Sequence, residues 1–536
     1  MFAIQFLPSL VCRTRLVKSQ VYLLAGSSGC ISALSFAPYN LYYLAFYGPI
    51  ICFLLWERVS IKKAFVTGFL YTATLLSVAG TWLYLSPNQL ADMPMPLAIL
   101  VTVLVIAAVS LCMGAAGAIY VLLKGRALLT RACLLFPSLW WLAEWSREWF
   151  LSGYPWFNIG YSQLDMPLIG WASVFGVNGI AYLVAMSSAL VTIALFYTRY
   201  RLIAMSITTI AWTSGMLLQS ISWTNEVGSP IPIALVQPNH IYSALSNKDK
   251  WQRAVELNRQ LLSKHQLVVW PETEFSMHTV APQPSHLTEL DKHIWQTVSF
   301  SLNDTVLPFA TSSAQYRDFV AQLETITAPQ NKSVLMGTNI RDHQNNLTYN
   351  SVLAVNATDK AIYDKRHLVP FGETIPLRQS LAPLWQLLNV HQDTFNASRT
   401  PNPLLPTSEY LAGVSICYEA AFGSEVADAL PSAHFLVMLT NDGMFDGTSQ
   451  PEQHLQIARM RAIETGRWVA RAARTGITAF IAPDAAVIKR TSHQEFAILS
   501  STIAPLQGST PFVYWRNTPF LLFTLAVIGW FALNRR

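Results

Sequence analysis

Apolar positions run in long, nearly unbroken stretches through the first 222 residues. From 223 to 515 short apolar runs alternate with polar and amphipathic stretches, and the final residues are apolar again. A helix crossing the hydrocarbon of a bilayer needs about 20 largely apolar residues. That length predicts spans near 19–36, 40–56, 64–85, 97–123, 130–150, 167–197, 202–222 and 517–534, eight crossings in all. Three units follow: a seven-helix transmembrane domain over 1–222, a water-facing domain over 223–515, and a C-terminal transmembrane helix over 516–536.

The middle unit has a different rhythm. "IPIALVQ", "QLVVWPE", "SVLMGTN", "SVLAVNA", "LAGVSICYE", "HFLVMLTND" and "VARAARTGITAFIAP" are short β-branched runs separated by helical stretches. One such helix, 451–465, starts at Pro451 and Glu452 and stops before Gly466, as start and stop chemistry requires. Strands and helices interleaved in this way predict an α/β domain whose sheet is covered by helices.

Composition agrees with a membrane protein: 52% of residues are hydrophobic and 12% charged, the latter about half the usual fraction. Lys and Arg are enriched in cytoplasmic loops. Taken at alternate span ends, one side collects Arg13, Arg15, Lys18, Arg58, Lys62, Lys63, Lys124, Arg126, Arg131, Arg199, Arg201, Arg535 and Arg536. The short loops around 37–39, 86–96 and 151–166 carry none. Both termini are therefore expected in the cytoplasm and 223–515 outside, in the periplasm of a Gram-negative cell. The formal charge of +6 reflects this topology and gives no reason to invoke nucleic acid. At the N-terminus apolar residues precede basic ones, the reverse of a cleavable signal peptide, so the segment is expected to be retained.

Five of the six cysteines lie before position 134, which leaves Cys417 as the only one in the outer domain and permits no disulfide there. By count alone an inert core thiol is the commoner reading. Three stretches bear on it. "VVWPETEF" places Glu272 at the end of an apolar run, where α/β folds deliver side chains into sites, although a solvated Glu fits that position too. "YDKRHLVPFGETIP" carries Lys365, His367 and Glu373 in a loop that on its own reads as a charged surface. "SICYEAAF" sets Glu419 two residues beyond Cys417. A thiol of ordinary pKa, about 8.5, needs a base or a nearby cation to react at neutral pH.

Glu, Lys and Cys in this order, each closing an apolar run, resemble the carbon–nitrogen hydrolase (nitrilase) superfamily. With spans on both sides, the chain is similar to its membrane-bound branch, the apolipoprotein N-acyltransferases. "FAPYN" (36–40), "PSLWWLAEWSREWFLSGYPWFNIGYSQ" (137–163) and "GVNGIAYL" (176–183) look like that family's membrane-domain signatures. "WPE", "YNS" (349–351), "YDKRHLVPFGE", "ICYE", "ND" (441–442) and "QHLQIARMRAIETGR" (453–467) look like its catalytic-domain signatures. The resemblance implies an αββα sandwich with Cys417 as nucleophile, Glu272 as general base and Lys365 as oxyanion stabiliser. It also implies supporting roles for Glu373, Tyr418, Glu419 and Asn441. The family usually reads "NDxWFG" where this chain has "NDGMFDG", so Met444 stands for a Trp that helps hold lipid and Asp446 for a Gly. Residues near 278–330 read as an insertion.

The implied reaction takes a fatty acyl chain from a phospholipid, phosphatidylethanolamine by family analogy. It passes the chain through a Cys417 thioester to the α-amino group of the N-terminal diacylglyceryl-cysteine of apolipoproteins, the last step of bacterial lipoprotein maturation. The expected setting is the cell inner membrane, with a monomeric enzyme and no cofactor. Each CH₂ of an acyl chain is held by the bilayer with about 0.8 kcal/mol, so the site should open to the leaflet. Candidate apolar lining is Trp251, Phe371, Phe422, Met444 and Phe445. The histidines are scattered rather than set at ligand spacing, so no metal is expected. Two other readings use the same residues: a membrane-anchored amidase or esterase that delivers the acyl group to water, and a transporter or lipid-binding scaffold with an inactive nitrilase-like domain. The first differs in its product. The second is disfavoured by the few ionisable residues in the spans, chiefly Glu144, Arg147 and Glu148.

Overall fold

A computed structural model describes residues 17–89, 91–125, 127–239, 247–276, 299–302, 305–308, 314–342, 347–356, 360–375, 380, 382–383, 395–398 and 403–534. The N-terminal segment with Arg13 and Arg15, and likewise Arg126, Arg535 and Arg536, lie outside them.

The membrane half contains helices α1 (Lys18–Ala33), α2 (Tyr47–Trp56), α3 (Ile61–Ala79), α4 (Met95–Leu123), α5 (Phe136–Ser146), α6 (Ala172–Phe196) and α7 (Arg201–Gln219). Among the described residues three helical stretches are long and apolar enough to cross a membrane: Met95–Leu123, Pro167–Phe196 and Thr198–Gln219. Tyr42–Trp56 and Thr518–Leu533 are apolar but shorter. Of the other expected spans, 19–36 corresponds to the 16-residue α1, 64–85 leaves the α3 helix after Ala79 with Gly80 as its C-cap, and 130–150 is divided by a π-turn over Arg131–Leu135 ahead of the 11-residue α5. The segment between α5 and α6 folds as three 3₁₀ turns, Phe150–Ser152, Ile159–Gln163 and Pro167–Trp171, tucked largely inside the protein.

The half spanning residues 223–515 is a sandwich of two sheets. One runs β12–β1–β2–β3–β4–β5, from β1 (Ile231–Gln237), β2 (Leu267–Val269), β3 (Ser333–Asp342), β4 (Leu347–Asn356), β5 (Lys360–Asp364) and β12 (Ala497–Ile503). The other runs β6 to β11 in order: β6 (Leu404–Thr407), β7 (Tyr410–Ile416), β8 (Phe435–Thr440), β9 (Val469–Ala473), β10 (Ala479–Ile481) and β11 (Val487–Arg490). β1, β2 and β3 are parallel, as are β7, β8 and β9. Alternation along these strands sends Ile233, Leu235, Val269 and Leu335 inward against Val414, Ile416, Val437 and Leu439 of the facing sheet.

Helices α8 (Asn247–Leu262) and α9 (Ala314–Thr327) cover the outer face of the first sheet. Phe319 and Leu323 of α9 pack with Trp251, Trp270 and Phe275, so this part of the expected insertion is a core layer of the sandwich. Most of 278–313 lies outside the described residues, apart from a two-stranded hairpin, Ser299–Leu302 with Thr305–Pro308. Helix α10 (Gln450–Thr465) covers the second sheet, and its other side packs on the membrane helices, so it is buried nearly all round. The last helix, α11, is Thr518–Leu533.

The junction between the halves is polar and specific. Gly176 takes φ +66° and breaks the first turn of α6, and a Cβ there would meet the Phe512 ring at 2.5 Å. The Val177 N–H that follows the break donates to Glu464 Oε1 of α10 at 2.7 Å. A buried N–H must find a partner, and here the sandwich supplies it. Glu464 is also paired with Arg461, Nε to Oε2 at 3.0 Å.

Candidate active site

The site lies where strand ends of the two sheets meet. Glu272 follows β2 through Trp270 and Pro271, and that turn lies against Gly337 of β3, where a Cβ would meet the Pro271 carbonyl at 2.2 Å. Lys365 directly follows β5, Cys417 follows β7 and Asn441 follows β8. Cys417 itself has φ +50°, a left-handed conformation uncommon for a residue with a side chain and concentrated at functional sites.

Lys365 is fully buried between two carboxylates, its Nζ 3.2 Å from Glu272 Oε1 and 2.9 Å from Glu373 Oε1. Asn350 holds the same two groups, donating from Nδ2 to Glu272 Oε1 at 2.7 Å and to Glu373 Oε1 at 2.8 Å. The Asn441 N–H donates to Glu272 Oε2 at 2.8 Å, and the Val369 N–H to Glu373 Oε2 at 2.9 Å. Burial raises the Glu272 pKa and the Glu373 charge adds to it; Lys365 and Asn350 pull the other way without cancelling the rise. Burial alone would lower Lys365, but the two carboxylates outweigh it and hold the ammonium above its ordinary range. Two negative groups around one cation leave the cluster ready to accept a proton.

The half-buried Cys417 thiol is pushed well up by burial and by the Glu272 carboxylate, with Lys365 opposing. Both influences favour the protonated thiol. Its turn is fixed from two sides. Glu419 accepts the Ile416 N–H at 2.7 Å on one oxygen, and on the other the Arg366 N–H at 2.6 Å and the Tyr363 hydroxyl at 2.7 Å, so it ties the Cys417 turn to the Lys365 loop. His454 of α10 lies 3.1 Å through Nε2 from the Cys417 carbonyl and 2.9 Å through Nδ1 from Asp442 Oδ1. Both of those partners only accept. Burial and Arg471 oppose the charged ring that would satisfy both, while Asp442 favours it. Arg471 Nη2 reaches the second Asp442 oxygen at 2.7 Å.

Sequence spacing gave no hint that Cys417, Asp442 and His454 bring their ligating atoms within 4.8 Å of one another. Asp442 is already engaged on both oxygens, so a cation here would have to displace Arg471. Sequence reasoning also passed over Asn350 as a site residue, although it lies inside the quoted "YNS". The signal it lacked was a polar side chain at a fully buried position of β4.

An apolar cavity of about 310 Å³ reaches Cys417 and Tyr418 from the membrane half. Val101, Val105 and Val109 line it at i, i+4 and i+8 of α4, a stripe about 12 Å long at 1.5 Å per residue. Trp82, Trp156, Phe371 and Phe445 close other sides. On the opposite side of α4, Leu100, Val103 and Leu104 are exposed. Tyr418 stacks on Trp156 with ring centroids 6.0 Å apart, and its hydroxyl donates to the Gly153 carbonyl at 2.9 Å.

The structure redistributes the expected lining. Trp251 is in the outer core of the sandwich, stacked on Phe319 and away from the cavity, because the apolar face of α8 points into the sheet. Phe422 stacks on the His367 ring at 3.6 Å instead of facing the cavity. Met444 packs against the neighbouring core and is not among the cavity-lining residues, whereas Phe445 is. His367 joins the two halves, with Nδ1 2.8 Å from Glu425 Oε1 and Nε2 2.8 Å from the Ser152 carbonyl.

Residues 28–190 match the family model of the apolipoprotein N-acyltransferase N-terminal domain, and residues 232–509 that of the carbon–nitrogen hydrolases. Among curated proteins, the chain is 31% identical to an apolipoprotein N-acyltransferase of Methylococcus capsulatus, covering 96% of each chain. It is 30% identical to one of Azotobacter vinelandii, covering 96% of this chain and 95% of that one. A relative of the same name in Coxiella burnetii is 29% identical over 93% of this chain and 96% of its own.

Proposed function

The chain belongs to the apolipoprotein N-acyltransferase family, within the carbon–nitrogen hydrolases, and we propose that Cys417, Glu272 and Lys365 carry its acyl transfer through a thioester. The enzyme is a membrane protein that acylates the amino terminus of apolipoproteins, the closing step of bacterial lipoprotein maturation. The observation that carries the mechanistic reading is the meeting of a buried Glu–Lys–Glu cluster and a strained cysteine turn with a cavity lined by a helix long and apolar enough to cross a membrane.

In the first step Glu272 takes the Cys417 proton and the sulfur attacks an ester carbonyl of a phospholipid, phosphatidylethanolamine in this reading. A C–S bond forms and the carbonyl oxygen becomes an oxyanion that the Lys365 ammonium stabilises. Collapse breaks the ester C–O bond, and the departing alkoxide takes the proton from Glu272 and leaves as a lysophospholipid. In the second step the α-amine of a diacylglyceryl-cysteine attacks the thioester. An amine of pKa near 8 is largely protonated at neutral pH, so it sheds one proton before attack. Glu272 accepts a second as the C–N bond forms, the third stays on the amide nitrogen, and Glu272 returns its proton to the departing thiolate. Glu373 and Asn350 hold Lys365 and Glu272 in register, Glu419 and Asn441 anchor the strand-end turns, and the apolar cavity houses the acyl chain and keeps water from the thioester.

The proposed topology has eight crossings, both termini in the cytoplasm, and a periplasmic catalytic domain on the inner membrane, acting as a monomer. It rests on the one-sided distribution of Lys and Arg. A membrane-impermeant thiol reagent applied to intact spheroplasts should then reach Cys417, and labelling only after lysis would reverse the assignment.

The deciding experiment is intact-protein mass spectrometry after incubation with phospholipid, comparing wild type with Cys417→Ala and then adding a diacylated lipopeptide. The expected result is an acyl adduct on wild type alone, cleared as the lipopeptide gains an N-acyl chain. An adduct cleared equally fast without lipopeptide would make the protein a hydrolase.

A further inference from the structure

The cavity wall is mostly apolar, and four of its lining residues carry a buried polar atom without a hydrogen-bond partner among the described residues: Ser86 Oγ, Tyr154 OH, Trp156 Nε1 and Gln450 Oε1. Buried polar groups are normally paired, and unpaired ones in a native site call for an explanation. The four are not equivalent. The hydroxyls donate or accept and the indole only donates, so the ester carbonyls of a lipid satisfy them. Gln450 Oε1 only accepts. A ligand made of hydrocarbon, esters and phosphate leaves it unmet, so it calls for an N–H or O–H donor.

The amide orientation is fixed by its other end. Gln450 is 2% exposed at the first turn of α10, and its Nε2 donates to Asp442 Oδ1 at 3.3 Å. A carboxylate accepts only, so the nitrogen must face Asp442 and the oxygen must turn the other way. Asp442 in turn carries His454, whose Nε2 contacts the carbonyl of Cys417. Gln450 is thus registered to the nucleophile turn through two side chains, and both Gln450 and Cys417 belong to the wall of one cavity.

We infer that Gln450 is a positioning residue for the acceptor, its Oε1 receiving a hydrogen bond from the primary amine that attacks the thioester. The inference rests on the acyl-transfer reading above and adds the group that distinguishes an amine from water as nucleophile. The ethanolamine head group of a donor lipid offers the same N–H chemistry, so the test separates the two sources.

Binding is measured on the full chain in phosphatidylglycerol nanodiscs, with Cys417→Ala to block turnover. The probes are a diacylated lipopeptide with a free α-amine and the same peptide with that amino group replaced by hydrogen. Gln450 should favour the free amine by about tenfold, the scale of a single hydrogen bond. Adding Gln450→Met, close in volume and lacking the acceptor, should erase that preference while binding of the des-amino peptide reports an intact fold. If the methionine variant binds neither peptide, Gln450→Asn, which withdraws the oxygen by one methylene, is read the same way. A preference that survives either substitution overturns the inference. With Cys417 intact, thioester formation from phosphatidylethanolamine and from phosphatidylglycerol is compared. A Gln450→Met effect confined to phosphatidylethanolamine would assign the oxygen to the head group and overturn the assignment to the acceptor. Absence of any thioester on wild type would refute the acyl-transfer reading, whereas the peptide preference is read without turnover.

Discussion

Replacing Lys365 by Met removes one charge from the most densely ionic part of the interior, and its consequences can be worked out on two axes. Glu272 and Glu373 lie within 3.2 Å of Lys365 Nζ and share the Asn350 amide, so without the ammonium two buried carboxylates face each other. Removing one member of a buried ion pair costs about 3–5 kcal/mol, and like charges at this range force one carboxylate to bind a proton. In the variant that carboxylate has a folded-state pKa above its unfolded value. Its protonation therefore supports the fold fully at pH values below the unfolded pKa, and the support is lost as pH rises through the folded one. The deficit against wild type should be smallest in mild acid and grow toward alkaline pH, and Lys365→Met with Glu373→Gln should recover most of it. Thermal unfolding across pH in detergent measures this. On the catalytic axis the oxyanion loses its cation, a loss of about 10²–10³ in thioester formation, followed by mass spectrometry with phospholipid. Normal thioester yield in a folded Lys365→Met protein would remove Lys365 from the mechanism, and a pH-independent stability deficit would refute the electrostatic account.

Glu272 must be deprotonated to act as base, and burial followed by Glu373 raises its pKa. Thioester formation should accordingly fall, as pH drops, at a midpoint above the usual carboxylate value of about 4.3; a midpoint at or below that value would exclude Glu272 as the base. His454→Ala should cost about 2 kcal/mol or more by leaving Asp442 and the Cys417 carbonyl short of a donor, and should slow thioester formation; unchanged unfolding and kinetics would show the turn to be self-supporting. Val105→Trp should fill the cavity alongside α4 and shift donor preference toward shorter acyl chains, read by mass spectrometry of the adducts from mixed-chain phospholipid. An unshifted chain profile would place the acyl chain elsewhere.

The parts legible in the sequence are those tied to strand ends. Glu272, Lys365 and Cys417 each close an apolar run, and parallel strands deliver such residues to a common edge. Other parts depend on which face of an element looks inward. Trp251, Val255, Asn258 and Leu262 form one helical stripe, and that stripe, with Asn258 bonded to the Trp270 indole at 3.1 Å, marks Trp251 as core rather than lining. The periodicity was present in the sequence, but which surface it would meet was not. His454 stayed hidden because its partners are 12 and 37 residues away and its helix carries polar residues on a side that proved buried. Three of the eight expected crossings stand out as single long apolar helices, and the others are less distinct where 3₁₀ and π turns divide a run into shorter helices.

Helix α10 has one side on the sheet and the other on α6, with the Gly176 break supplying Glu464 its partner. In a free-standing sandwich of this kind that helix would be an outer wall with a wetted face. Here Leu455 and Ile463, which such a face would have to surrender to water, are buried in the apolar core continuous with the membrane half. Residues 223–515 produced alone would therefore expose a sticky apolar flank next to a Glu464 that keeps Arg461 but has lost the Val177 N–H, and would be expected to clump rather than circulate. The membrane half thus keeps this wall dry, and shedding it by proteolysis is expected to release an insoluble fragment.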